Sequence, residues 1–447
     1  MNRRQFLFAA ACGAAGAAVW SMRPTAQGEG GHPSYFAQLE RSLREHGLAR
    51  PTLLVDLDRF DRNIDAVLGE LGPRHFRIVA KSLPSPRLLD YAMKRAGSDR
   101  LMSFHQPFLN HIARALPASD VLLGKPMPVV AADRFYRALA AGPFDPARQL
   151  QWLIDSPERL RQYRELAAAR DVAMRVNVEI DVGLHRGGIV DPVELARLLV
   201  ALDEDPRLEF AGLMGYEAHV AKLPTAGGAQ ARELERVQIR YRAFLDVLRE
   251  RIGTPLPEPK ATAARATGTP AAAPGPTGTV PLTFNAGGSP TYRLWSEVDG
   301  IASELAIGSG LVKPLDFDLP TLAAHVPAAW IATPVLKAMD GLNVPGLGPL
   351  NTLWRLWDPN RERTFFVYGG YWRARPVSPA GLDENPAFGR SSNQEMLNGS
   401  QAVALEVDDY VFYRPTQSES VMLQFGDLAL VRGGRIVDFW PVLEERA

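Results

Sequence analysis

Cysteine is almost absent from this chain. Its 447 residues contain one, Cys12, inside a short apolar N-terminal stretch that reads as an export signal. A chain cleaved after that stretch holds no thiol, which excludes disulfides, a thiolate nucleophile and Cys-ligated metal. Net charge is absent too: 50 Lys+Arg balance 50 Asp+Glu, a formal +0. Neither a nucleic-acid partner nor an acidic membrane surface is indicated by such a balance. Beyond the N-terminus no run is long and apolar enough to span a bilayer. There is no strand-linked G-x-G-x-x-G, hence no dinucleotide signature, and no internal repeat.

What remains is ordinary for a globular chain: 46% hydrophobic and 22% charged residues, long enough for one domain of barrel size plus a smaller one. Met1-Asn2-Arg3-Arg4-Gln5-Phe6-Leu7 is a twin-arginine pattern, followed by a small-residue apolar region from Phe8 to Val19. Residues 1–30 are therefore expected to be a twin-arginine signal and linker, with the mature protein periplasmic and free of the membrane.

From residue 51 the chain falls into a rhythm. Pro51–Asp58 alternates into a strand, with Asp58 as a candidate N-cap for the helix beyond it. Eight apolar runs follow: Phe76–Lys81, Leu101–Phe104, Val121–Gly124, Leu150–Ile154, Ala173–Ile180, Leu208–Gly215, Leu282–Ala286 and Ser303–Ile307. Helical spacing fills the gaps, at Pro86–Ala96, Pro157–Ala169, Pro192–Leu202 and Ala229–Ile252, with a short piece near Tyr292–Ser296. Eight strands alternating with helices predict an α/β fold, a (β/α)₈ TIM-type barrel, over residues 48–312. The extra strand at 51–58 belongs elsewhere, and 255–280, rich in Ala, Pro, Thr and Gly, reads as a disordered insert. Residues 313–447 predict a mainly β C-terminal domain, with strands at Arg363–Tyr368, Ala402–Val407, Val421–Phe425 and Leu428–Val431, which strand 51–58 joins.

Catalytic groups of such barrels sit at the C-terminal strand ends. Lys81 closes the first run and breaks into Ser82-Leu83-Pro84; an amine there is a snorkelling side chain or an imine-forming nucleophile. Glu179-Ile180-Asp181-Val182-Gly183-Leu184-His185-Arg186 runs into a glycine-rich turn, where Arg186 is an anion or ring-nitrogen partner or a plain loop arginine. Tyr216 and His219, in Gly215-Tyr216-Glu217-Ala218-His219, suit proton relay or a buried hydrogen-bonded pair. Gly287, Gly288 and Ser289 open a short helix after the seventh run, and Gly308-Ser309-Gly310 follows the eighth; both suit a phosphate cradle. An imine-forming lysine and a phosphate cradle at one barrel mouth point to pyridoxal 5′-phosphate.

Taken together, Val55-Asp56-Leu57-Asp58, Ala80-Lys81-Ser82-Leu83-Pro84-Ser85-Pro86, Glu179–Gly183 with Arg186-Gly187-Gly188, Gly215–His219 and Ala286–Ser289 resemble one group. They are similar to the D-threonine aldolase and D-serine dehydratase-like family of fold-type III pyridoxal-phosphate enzymes, in the alanine racemase N-terminal domain superfamily. The resemblance runs from about residue 48 to the C-terminus. It implies Lys81 as the Schiff-base lysine and Gly287, Gly288 and Ser289 at the phosphate. Arg186 would lie near the pyridine nitrogen, Tyr216 and His219 near cofactor or substrate. It also implies a small amino-acid substrate and a homodimer.

The chain departs from that family where its lyases hold a divalent metal. Gln417 and Glu419, in Pro415-Thr416-Gln417-Ser418-Glu419-Ser420, replace the two ligands, so no metal residues are carried over. Glu395, Glu419 and Asp408 read as surface carboxylates, with an oxygen-ligand site for Mg²⁺ or Mn²⁺ as the alternative, and Arg390 as a partner for a substrate carboxylate. The expected function is a PLP-dependent lyase of D-amino acids, in particular D-3-hydroxy amino acids. A racemase or epimerase is the alternative, with Lys81 and either Tyr216 or His219 on opposite faces of Cα; a non-catalytic PLP-binding protein is the second alternative.

Overall fold

The computed structural model describes residues 22–252, 280–342, 344–346, 348–385 and 388–444. The expected signal, up to residue 21, and all but the last residue of the 255–280 insert lie outside them. Two compact units result: Met1–Asp56, Ala329–Thr416 and Ala429–Asp438 form one, and Leu57–Ala328, Gln417–Leu428 and Phe439–Ala447 the other.

The larger unit is a closed parallel barrel. Its strands are β2 (His75–Val79), β3 (Arg100–Ser103), β4 (Asp120–Leu123), β5 (Leu150–Ile154), β6 (Met174–Ile180), β7 (Leu208–Gly215), β8 (Thr283–Ala286) and β9 (Glu304–Ile307). Closure is direct, with His75 beside Glu304 and Ile78 beside Ile307. The helices between them begin where cap chemistry says they should. Ser85-Pro86, Ser156-Pro157 and Asp191-Pro192 each place a side-chain acceptor before a proline that needs no hydrogen-bond partner. Gly97, at φ +62°, ends the first of these helices in the left-handed region. Asp58 lies in the first turn of the helix Leu57–Glu70 rather than before it.

Two side-chain bonds reveal which strand residues face inward. Gln151 Nε2 of β5 donates to Thr283 Oγ1 of β8 at 2.9 Å, and these strands are not neighbours, so the bond crosses the lumen. Asn177 Nδ2 of β6 donates to Gln151 Oε1 at 3.1 Å. The floor of the barrel is charged. Arg77 Nη2 donates to Glu304 Oε2 (2.8 Å) and Asp120 Oδ1 (2.6 Å), its Nε bonds Glu304 Oε1, and Arg100 Nη1 reaches Glu304 Oε2 at 2.8 Å. Burial alone would push the Glu304 carboxyl up; the guanidinium groups of Arg77 and Arg100 outweigh it and hold it at about 2. Strand alternation then lifts the inward columns towards the C-terminal mouth: Arg77, Val79 and on to Lys81; Gln151, Leu153 and on to Asp155; Asn177 and Glu179.

The other unit is a nine-stranded sheet, ordered β13-β14-β11-β10-β1-β16-β17, in which β13 is Asp383–Glu384 and β14 is Gln394–Gly399; β15 branches from β10, and β12 (Ala374–Ser378) pairs with β15. β1 (Thr52–Asp56) is its central strand, antiparallel to β10 (Ala329–Asp340) and parallel to β16 (Leu428–Arg432). β11 (Arg363–Tyr368) and β15 (Tyr410–Pro415) share β10 on either side of an irregularity at Val335/Lys337. β16 turns through Gly433 and Gly434, both at positive φ, into β17 (Arg435–Trp440).

Three expectations fail here. Ala402–Val407 carries only an isolated bridge, Gly30 to Val403, because Gly30 alone supplies its backbone partner. Val421–Phe425 is not a strand: Ser420–Leu423 winds into a single 3₁₀ turn. The unit boundary falls at Ala328/Ala329, not after Val312, and Gln417–Leu428 returns to the barrel unit. Ser418 explains that return, since its hydroxyl is buried against Ser309 Oγ of the barrel mouth at 3.1 Å.

Candidate active site

Lys81 sits in a single 3₁₀ turn, Ala80–Ser82, directly after β2. Its ammonium lies 4.5 Å above the Phe104 ring and 2.6 Å from Glu419 Oε1. Phe104 follows β3, and a Cβ on Gly124, after β4, would strike that ring, so Gly124 makes the room the phenyl group needs. The lysine turn is tied to both glycine turns. Ser82 Oγ and Ser309 Oγ are 3.0 Å apart, and Ser289 Oγ accepts the N–H groups of Gly308 (3.2 Å) and Gly310 (2.9 Å).

Gly287 and Gly288 differ from expectation in one respect. Their amides are not free: Gly287 N–H donates to Glu217 Oε2 (3.2 Å) and Gly288 N–H to Thr291 Oγ1 (3.1 Å). The reason is Glu217, a fully buried carboxylate that also takes Thr291 Oγ1–H (2.5 Å) and Trp295 Nε1–H (3.0 Å). Burial pushes the Glu217 carboxyl up while these three donors pull it down. Gly287, at φ +74°, supplies the left-handed bend that aims the turn at it. The Ser289 hydroxyl oxygen accepts two amides of the neighbouring turn, and its hydrogen can still be donated.

Arg186 is exposed, and its guanidinium stacks 5.1 Å over the Tyr216 ring. Burial first, then the Glu217 carboxylate, pushes the Tyr216 phenol up to about 12, so it stays protonated at neutral pH. A Cβ on Gly288 would lie 2.6 Å from Tyr216 Cε2, so the glycine turn and the tyrosine ring are in van der Waals contact. Glu179 tops the β6 column; burial and the nearby Asp155 charge push it up to about 7. His185 is exposed and bonded through Nδ1 to Asp181 Oδ2 at 2.6 Å, a loop-closing pair.

His219 stands somewhat apart. Its Nε2 is 3.4 Å from Glu233 Oε1 on the helix Ala229–Ile252, not turned to Tyr216, and its Nδ1 is buried without a hydrogen-bond partner. In the sheet unit, Arg390 is bonded to Glu395 rather than open to a substrate, with Glu384 3.1 Å away. Glu395 is fully buried, not a surface carboxylate, because the Arg390 guanidinium neutralises it. Among the described residues no group of three His, Cys, Asp or Glu is placed to hold a metal ion.

Lys81, Phe104, Arg186, Tyr216, Ser289 and Ser309 thus share the mouth of one barrel. Sequence reasoning missed Phe104 and the direct pairing of Lys81 with Glu419. It passed over Glu217, although that residue stands inside the quoted Gly215–His219 motif; a charged residue between two expected site residues was the available signal.

Comparison with known proteins bears on the fold that carries these residues. Residues 55–264 match the family described as alanine racemase, N-terminal domain. That match covers a little under half of the chain. An alanine racemase of Acidithiobacillus ferrooxidans is 37% identical over 86 residues, 18% of this chain and 23% of that protein, so the match spans about a quarter of the curated relative. Among solved structures, D-threonine aldolase from Filomicrobium marinum superposes with a TM-score of 0.64 at 17% identity, covering 88% of this chain and 95% of the other. D-threo-3-hydroxyaspartate dehydratase from Delftia sp. HT23 gives 0.62 at 16%, covering 88% and 97%. Alanine racemase of Clostridium difficile 630 gives 0.61 at 12%, covering 87% and 98%. These likenesses establish the fold: an alanine racemase-type barrel with a β-sheet unit.

Proposed function

We propose that this protein is a pyridoxal-phosphate enzyme of D-amino acids, a lyase of D-3-hydroxy amino acids, with Lys81 as the cofactor lysine. The observation that carries the reading is the tie between Lys81 and the two glycine turns, through Ser82, Ser309 and Ser289, at one barrel mouth. Family members bind pyridoxal phosphate. The chain offers matching groups: an amine at Lys81 Nζ, a hydroxyl donor at Ser289, a cation at Arg186 and a ring at Tyr216. Gly288 lets the Tyr216 ring close against the glycine turn, where a Cβ would displace it. When bound, the cofactor supplies an electron sink for a carbanion at the substrate Cα.

The protein's own part is to hold and move protons around it. Lys81 Nζ is the base on one side of the mouth. Tyr216 Oη, held protonated, is a donor rather than an acceptor, and Arg186 stacked on it keeps positive charge beside the ring. Glu217 acts through the turn it braces, as a positioning residue. A racemase reading draws on the same pair, Lys81 and Tyr216, as two proton carriers. Incubating D- and L-amino acids separately decides: aldehyde or keto-acid product supports the lyase, and inversion without either overturns it.

Homodimer formation and twin-arginine export are parts of the same proposal. Sedimentation gives the first. For the second, Arg3→Lys with Arg4→Lys is expected to strand the protein in the cytoplasm on fractionation.

Gly288→Ala is expected to weaken the cofactor site. The added methyl must displace Tyr216 or the turn; overpacking of this kind costs about 1–3 kcal/mol. The dissociation constant for pyridoxal phosphate should rise roughly tenfold, measured by fluorescence titration, with secondary structure unchanged.

A further inference from the structure

The Lys81–Glu419 pair has a use beyond charge balance. Glu419 is presented deliberately: Ser418, just before it, and Ser82, just after Lys81, both bond the same hydroxyl, Ser309 Oγ, at 3.1 and 3.0 Å. Three buried serines therefore clamp the lysine turn and the glutamate turn together. Glu419 itself is open to solvent, with its side chain 43% exposed, so a small molecule can reach it. Two other carboxylates at this mouth are committed, Glu217 to three donors and Asp181 to His185.

We propose that Glu419 receives the α-ammonium group of the incoming amino acid and takes up its proton, with the Lys81 ammonium filling that seat in the cofactor-free protein. The inference rests on the reading of Lys81 as the cofactor lysine. An amino acid that replaces Lys81 brings the same chemical group, a primary ammonium, to the same place. Its nitrogen carries no free lone pair until one proton leaves. That proton passes from the substrate nitrogen to a Glu419 oxygen, turning carboxylate to carboxylic acid and leaving the amine able to bond to carbon. The proton stays on Glu419 while Lys81 Nζ, set free as a neutral amine, serves as the base, and the proton returns to the departing product nitrogen when Lys81 is reattached. One proton is accepted and one returned, so no outside acid or base is needed.

Two measurements on the full-length protein test this. In Lys81→Ala the carboxylate loses its resident ammonium, and calorimetry is expected to show methylammonium binding that Lys81→Ala/Glu419→Gln lacks. That arm needs no cofactor. In the second, the cofactor-loaded protein is mixed with D-threonine or with aminooxyacetate, and the absorbance change is timed. Glu419→Gln is expected to slow the D-threonine phase about 10²-fold, the usual scale for one proton-transferring group. It should leave the aminooxyacetate phase alone, because an aminooxy nitrogen arrives unprotonated; Glu419→Asp should recover part of the loss. Equal methylammonium binding with and without Glu419, or equal slowing of both phases, overturns the proposal. Absence of any absorbance change with aminooxyacetate in the unaltered protein would instead overturn the cofactor reading, and the methylammonium arm would still decide the seat.

Discussion

Lys81→Ala is expected to yield a folded protein that purifies without a visible absorbance band and turns over no amino acid. The unaltered protein should carry such a band, and borohydride should bleach it and fix mass onto the peptide containing Lys81. The side chain is 37% exposed and its ion pair with Glu419 lies at the mouth. A pair of that kind contributes at most about 1 kcal/mol, so stability should barely move. Catalysis should fall by about 10³-fold or more, since the base is lost along with the attachment point. A Lys81→Ala protein that keeps its band would show that another lysine holds the cofactor.

The second large effect lies at the opposite end of the barrel. Glu304→Ala is expected to destabilise the barrel unit by about 3–5 kcal/mol, because it leaves the fully buried Arg77 without most of its countercharge. For a unit of this size that is on the order of 10 °C in Tm. Glu304→Leu combined with Arg77→Met should recover much of the loss, since a well-packed apolar pair carries no desolvation cost. The same carboxylate sets an acid limit. Its folded-state pKa, about 2, lies below its ordinary 4.5, so the stabilisation is complete above pH 4.5 and declines as pH falls towards 2. Thermal melts between pH 6 and pH 2 should show that loss, and Glu304→Leu/Arg77→Met should be flatter over the same window. An Arg77 variant as stable as the parent would refute the buried-pair account.

The barrel was legible because its signals are local. Apolar runs of four to eight residues, and acceptor–proline steps such as Ser85-Pro86 and Asp191-Pro192, mark each strand and helix on the residues themselves. Lys81, Tyr216 and Gly287–Ser289 are readable the same way, as strand-end residues that the closed barrel brings to one mouth. What escaped reading depends on distance. Glu304 looks like any strand-start glutamate until Arg77, over two hundred residues earlier, is known to lie beside it. Val421–Phe425 has strand composition, but Ser418 anchors it to a barrel serine and it winds into a turn instead. The amides of Gly287 and Gly288 looked free because nothing local to them announces Glu217, seventy residues upstream.

The return of Gln417–Leu428 to the barrel unit has a consequence in time. The last barrel strand ends at Ile307, yet Ser418 and Glu419 leave the ribosome more than a hundred residues later. At about 5–20 residues per second, the nascent barrel waits several seconds or longer with its eight strands complete and its rim unfinished. A cofactor entering during that interval would meet Lys81 before its glutamate arrives, whereas one entering after release would have to part the two. Under the proposed function, the order of loading and synthesis follows from where along the chain this one acidic side chain stands.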